Sequence, residues 1–193
     1  MLSRGSQRLT WLPDAGVVRL TDRSVLIGHG GWGDGRCGDF LQSNVVLSDY
    51  GLIRELREAH SAKVFQPESV LTAKLLEKLR ELGDEAADHF RAVLPQALQT
   101  GCNVLVLMHV PPFHEACWHE GRLSDDNWSP HFTCPAVGDV LVEFMQQHAD
   151  RQMTVLCGHT HSSGHVRILD NLEVFTGDAR YGQSKVQRTL EVE

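Results

Sequence analysis

Two short, almost wholly apolar runs, Asn103–Met108 and Met153–Cys157, most constrain what this chain can fold into. Each has the length of a strand, and neither alternates apolar with polar residues, the pattern expected of a strand covered on both faces. Strands of that kind sit in sheets flanked by helices, so the two runs predict a layered α/β architecture. Pro111 and Pro112 halt the first run, and Gly158 lets the backbone turn sharply at the end of the second.

The rest of the chain is ordered around them. Gly16–Leu20 and Ser24–Gly28, joined by Thr21-Asp22-Arg23, predict a β-hairpin. Five glycines between His29 and Phe40 exclude a regular element there. From Asp49 the pattern is helical to about His60, and Pro67-Glu68-Ser69 predicts the start of another helix running to Leu82. Gly83 is expected to stop it, with a second helix from Glu85 to Leu98 ending or kinking at Pro95. Pro135 opens a further helix; Val166–Leu169 and Leu172–Phe175 form a hairpin across Asp170-Asn171; and Val186–Val192 alternates as a final strand would. Residues 1–193 are thus expected to form a single α/β domain or most of one.

Bulk properties narrow the function. A formal charge of −7 gives no electrostatic reason to expect a nucleic-acid or anionic-membrane partner. No apolar run approaches the roughly 20 residues that span a bilayer. Arg4 and Arg8 are followed by no apolar stretch of a secretory leader, and the five cysteines include no C-x-x-C pair, so a cytoplasmic protein with reduced thiols is expected.

Histidine is the compositional oddity. Eight of the eleven lie between His109 and His165, a crowding that favours a metal or catalytic site. His109 follows the first apolar run, and His159 and His161 follow the second, at the carboxyl ends where parallel α/β sheets gather ligands. In an extended segment residues two apart share a face at roughly 6 to 7 Å. His159 and His161 are therefore expected to aim the same way, able to straddle two metal ions roughly 3.5 to 4 Å apart. An H-x-H pair on an exposed strand edge is the alternative for the pair alone.

The joint arrangement is more specific. Strand-His109-Val-Pro-Pro, a loop and helix, strand-Gly158-His159-Thr160-His161, and a hairpin ending in Thr176-Gly177 resemble the C-terminal half of the calcineurin-like metallophosphoesterases. The resemblance covers the chain from about His29 onward. It implies an α/β/β/α layered sandwich, incomplete in this chain, and hydrolysis of a phosphate mono- or diester of a small substrate by a binuclear centre. It also implies two divalent ions (Mn, Fe, Zn or Mg), His109 and His159 being ligands of one and His161 of the other.

The departures from the family pattern are equally specific. The D-x-H, G-D-x-x-D and G-N-H motifs that supply the carboxylate side are absent; Asp39, Asp84, Asp139 and Asp178 follow glycines but lack a second aspartate at the right spacing. Three histidines alone are an incomplete site for hard ions. The chain is accordingly expected to carry only the C-terminal ligand set and to be inactive alone, with no assignable catalytic residue. A non-catalytic remnant that binds one metal or none is the alternative. Missing strands would leave Val104–Met108 and Thr154–Cys157 short of neighbours, exposing edges through which chains could associate.

A competing motif, Gly28-x-Gly30-x-x-Gly33, follows a strand as in dinucleotide-binding folds, but those need a helix that residues 34–44 are too short and glycine-rich to form. That loop instead offers Asp34 and Arg36 as candidate substrate contacts, Arg36 because a guanidinium fork takes two phosphate oxygens at once, a solvated loop arginine being the alternative. His114 and His119, in the long loop between Phe113 and Cys134, are the other candidate contacts. Trp118 and Trp128 there either wall a pocket or anchor the loop.

Overall fold

The computed structural model describes residues 9–59 and 71–193. A helical turn, α1 (Leu12–Ala15), precedes β1 (Val18–Arg19), which pairs antiparallel with β2 (Ser24–His29) as the hairpin expectation requires. The glycine-rich segment holds no helix or strand, and residues 34–44 contain only bends and turns, so the dinucleotide motif lacks the helix that would receive a pyrophosphate. The helical pattern after Asp49 is realised as two short pieces, α2 (Asp49–Leu52) and α3 (Arg54–Ala59), because Ile53 takes an extended backbone (φ −77, ψ 122). The expected end near His60 and the helix start at Pro67-Glu68-Ser69 lie outside the described residues.

The largest departure is α4 (Ala73–Thr100), one helix of 28 residues where two were expected. Thr72 caps it by accepting a hydrogen bond from Leu75 N (3.1 Å). Gly83 does not end the helix, since it is there to admit a neighbour. A Cβ at this position would lie 2.6 Å from the Asp34 Cβ. Pro95 is tolerated because it and Arg91, whose carbonyl loses its helical partner, both lie on the exposed side where water can replace the bond.

Both apolar runs are strands, β3 (Asn103–Met108) and, after α6 below, β6 (Gln152–Cys157). The long loop between them carries a 3₁₀ turn (His114–Ala116), a small hairpin of β4 (Trp118–His119) with β5 (Arg122–Leu123), and a helical turn, α5 (Ser129–Phe132). Pro135 does open a helix, α6 (Pro135–Gln147). The hairpin β7 (Gly164–Leu169) and β8 (Leu172–Thr176) follows.

The main sheet runs β1-β2-β3-β6-β8-β7, with β2, β3, β6 and β8 parallel and the outer pairs antiparallel. The expectation that β3 and β6 would lack neighbours is corrected: each is hydrogen-bonded on both sides, and the outer strands are β1, of two residues, and β7, of six.

α4 and α6 cover one face, burying Val25, Ile27, Val106, Met153, Val155 and Val174 against Phe90, Leu94, Leu141 and Met145. Each fully buried side chain of this size contributes about 1.5–3 kcal/mol. A second cluster joins Trp32, Phe40, Tyr50 and Leu56 to Leu75 and Leu79 of α4. The opposite face presents two rows in register, Leu26-Leu105-Thr154-Glu173-Arg167 and Gly28-Leu107-Leu156-Phe175-His165. The expected strand at Val186–Val192 is absent. That segment crosses this face instead of joining an edge, with Arg188 seated 3.7 Å above the Phe175 ring. Among the described residues no helix is long and apolar enough to cross a membrane.

Candidate functional site

The parallel strands all end at one edge, and backbone hydrogen bonds lace the segments that leave them. His109 N donates to Gly30 O (2.9 Å), Gly158 N to His109 O (3.0 Å) and Gly177 N to Cys157 O (2.8 Å). His109 and His159 consequently meet, their rings edge to face with centroids 4.7 Å apart. Trp32, from the glycine-rich loop, stacks on His109 at 5.7 Å and 17° and meets His159 at 5.0 Å. Phe132 closes another side of His159 at 5.1 Å.

Gly158-His159-Thr160-His161 is not the extended segment expected. It bends, with φ of 70° at His159 and 60° at His161, so the two rings reach the site from left-handed backbone and not from one face of a strand. Non-glycine residues held there cost about 1–3 kcal/mol each and cluster at functional sites. His161 is exposed, its ring 5.1 Å from that of Tyr181. All three histidines nonetheless line one cavity of about 380 Å³, together with Asp49, His119 and Phe132.

Burial sets the protonation of the site. Desolvation, reinforced by the charges of His109 and His161, pushes the His159 pKa down to about 3, against a backbone hydrogen bond at His131. Its Nε2 is buried and has no hydrogen-bond partner among the described residues. The ring nitrogen bonded to the His131 backbone is therefore Nδ1, the arrangement that leaves Nε2 with a free lone pair. His109 keeps an exposed edge, yet the atoms packed round it lower its pKa by desolvation, while Asp49 acts in the opposite direction. Neutral imidazole is the form that binds a metal.

His131 organises the wall behind these rings. It is fully buried, with Nδ1 bonded to the Tyr50 hydroxyl and Nε2 to Ser43 Oγ (2.8 Å), and desolvation lowers its pKa to about 4. One residue thus pins the segment from Ser43 to Tyr50 through its side chain and steadies His159 through its backbone.

Of the four candidate substrate contacts, His119 alone lines the cavity, held by Thr160 O (3.3 Å) and packed on Trp128 at 4.5 Å. Asp34 is fully buried: Oδ2 accepts from Ala136 N (3.1 Å), in the first turn of α6, and from Arg36 Nη1 (2.9 Å), and Oδ1 from Arg36 N (2.9 Å). Burial raises its pKa despite these bonds, and Arg36 reaches on to Asp84 (2.7 Å). The pair ties the glycine-rich loop to α4 and α6, away from the cavity. His114 Nε2 bonds Ser124 O (2.7 Å) and closes the long loop on itself. Trp118 packs against Gly164, the loop-anchoring alternative.

As they stand, no three His, Cys, Asp or Glu side chains among the described residues are gathered tightly enough to hold a metal ion. In donor type, the orphaned His159 Nε2 and the imidazoles of His109 and His161 suit one borderline ion. They do not suit a pair of hard ions, because Asp49 is the one carboxylate among the described residues that line the cavity. No sequence motif marks Asp49, Phe132 or His131. Larger hollows, of about 540 and about 620 Å³, lie beside the C-terminal segment but gather no comparable set of imidazoles. The chain matches no protein-family model and no curated protein.

Proposed function

We propose that this chain carries the histidine side of a metal-dependent phosphoesterase site of the calcineurin-like type. The observation that supports the reading is the gathering of His109, His159 and His161 on one cavity at the carboxyl edge of the parallel strands. The six-stranded mixed sheet with helices on one face is compatible with part of that family's sandwich. Five free cysteines accord with a reducing, cytoplasmic setting.

Within this reading, His109 and His159 present neutral nitrogen donors, Trp32 and Phe132 keep water from the buried side of His159, and His131 fixes that ring's orientation. A bound divalent ion would supply charge neutralisation of the phosphate and a more acidic water. Among the described residues the cavity lining contains no Lys or Arg, and Asp49 repels anions, so these residues give phosphate little to hold without a cation. His119, at the wall, gives its Nδ1–H to Thr160 O, so its Nε2 can donate to a phosphate oxygen only as the imidazolium.

The test is metal-dependent handling of phosphate by the 193-residue chain. Orthophosphate should bind only with added Mn²⁺ or Zn²⁺, and any hydrolysis of an aryl phosphate should vanish in His159→Ala. Metal-dependent turnover that survives His159→Ala sinks the assignment. A second reading, a non-catalytic metal-binding domain, is favoured by the single carboxylate at the cavity; it expects metal binding with no turnover of any aryl phosphate.

A further inference from the structure

We infer that Asp49 is the anionic ligand of this cavity, so that His109, His159, His161 and Asp49, not gathered tightly enough as they stand, close onto one transition-metal ion when it binds. The inference rests on the reading of the histidine cluster as a metal site and replaces the view that its carboxylate must come from elsewhere.

Three observations carry it. Asp49 lines the same cavity as the three imidazoles. Its position is fixed by its neighbour: Tyr50 is fully buried and bonded through its hydroxyl to His131 Nδ1. His131 is followed by Phe132, whose ring packs on that of His159 at 5.1 Å, so Asp49 and His159 are mounted on one frame in place of two independent loops. That is the kind of shared support that a ligand set needs to stay within reach of one ion. Finally, His159 Nε2 is a buried lone pair with no partner, a cost that a bound cation would remove.

The donor types then select the ion. Three imidazoles and one carboxylate satisfy four-coordinate Zn²⁺ or Co²⁺, and they are too nitrogen-rich for Mg²⁺ or Ca²⁺. With four protein donors no position is left open, so phosphate would enter by displacing one of them or by expanding the coordination. His109 and His161 are exposed while Asp49 and His159 are half-buried, so the two exposed imidazoles are the donors able to yield.

The chelator-stripped 193-residue chain titrated with Co²⁺ and, separately, Zn²⁺ tests this. Calorimetry counts ions and gives affinity, and Co²⁺ visible absorption reports geometry. Expected are one ion per chain, an intense tetrahedral Co²⁺ spectrum, loss of binding in His159→Ala, and an affinity reduced at least about tenfold with a shifted Co²⁺ band in Asp49→Asn. Circular dichroism on each variant verifies that the fold is kept. Binding by Asp49→Asn indistinguishable from the parent, alongside loss in His159→Ala, overturns the role of Asp49 and leaves the histidine centre standing. No binding by the parent, or binding unchanged in His159→Ala, overturns the centre itself. Two ions per chain overturns the single-ion arrangement.

Discussion

His131 offers a measurable test of how this wall is built, through the dependence of stability on acid. Its ring is fully buried between two hydroxyls and titrates at about 4, whereas an unfolded histidine titrates near 6.5. Between those values the unfolded chain binds a proton that the folded chain refuses, so the stability present above about pH 6.5 drains away as pH falls toward about 4. The gap of about 2.5 pKa units corresponds to about 3 kcal/mol in all, and about 2 kcal/mol is already lost by about pH 5. His159, pushed to about 3, adds a similar loss over the same range in metal-free protein.

Urea unfolding in the presence of a chelator, at about pH 7, 6 and 5, gives the slope of stability against pH. His131→Gln keeps polar atoms toward Tyr50 or Ser43 but cannot titrate. It is expected to be less stable at neutral pH, and its slope below about pH 6.5 should be shallower than the parent's by one proton, about 1.4 kcal/mol per pH unit. The slope does not depend on the variant's absolute stability. Parallel curves for parent and variant would refute the buried neutral imidazole, and with it the account of what fixes His159 and Asp49.

Asp34→Ala should cost about 2 kcal/mol in urea unfolding, because it leaves Arg36 with Asp84 as its carboxylate partner and takes the acceptor from Ala136 N in the first turn of α6; a change under about 0.5 kcal/mol, the size of a surface effect, would contradict the buried pairing. Gly83→Ala, which in an ordinary helix interior stabilises by about 0.5–1 kcal/mol, should lower the melting temperature here, since its methyl group would sit 2.6 Å from the Asp34 Cβ; a rise would mean that the close approach is not real. Zn²⁺ at about 100 times its dissociation constant should raise the unfolding free energy of the parent by about 2.7 kcal/mol, and should leave His159→Ala unmoved in a thermal scan.

The layered fold could be read from the chain because its evidence is local. β3 and β6 are apolar runs with a histidine at each end of interest, and Pro135 marks the start of α6 by its own geometry. What escaped was decided at a distance. Gly83 resembles a helix stop until Asp34, from a loop 49 residues earlier, is seen pressed against it. Asp34 and Arg36 resemble a phosphate-binding loop, yet the Asp34 carboxylate is taken by Ala136 N, 102 positions away. Val186–Val192 has the alternation of a strand, but it lies over Phe175 and finds no ladder to join. Asp49 carries no motif at all; the bonds of Tyr50 and Ser43 to His131 bring its segment to the histidines.

The left-handed backbone at His161 sets stability against function in this chain. His161 is exposed and packs its ring only against that of Tyr181 among the described ring contacts, so glycine there would relieve the backbone at little packing cost. A selection for heat resistance run on metal-free protein would therefore enrich His161→Gly, and would remove a donor from the cavity while reporting an improved protein. Any stabilised version of this chain should be screened with the ion present, where the two pressures point the same way.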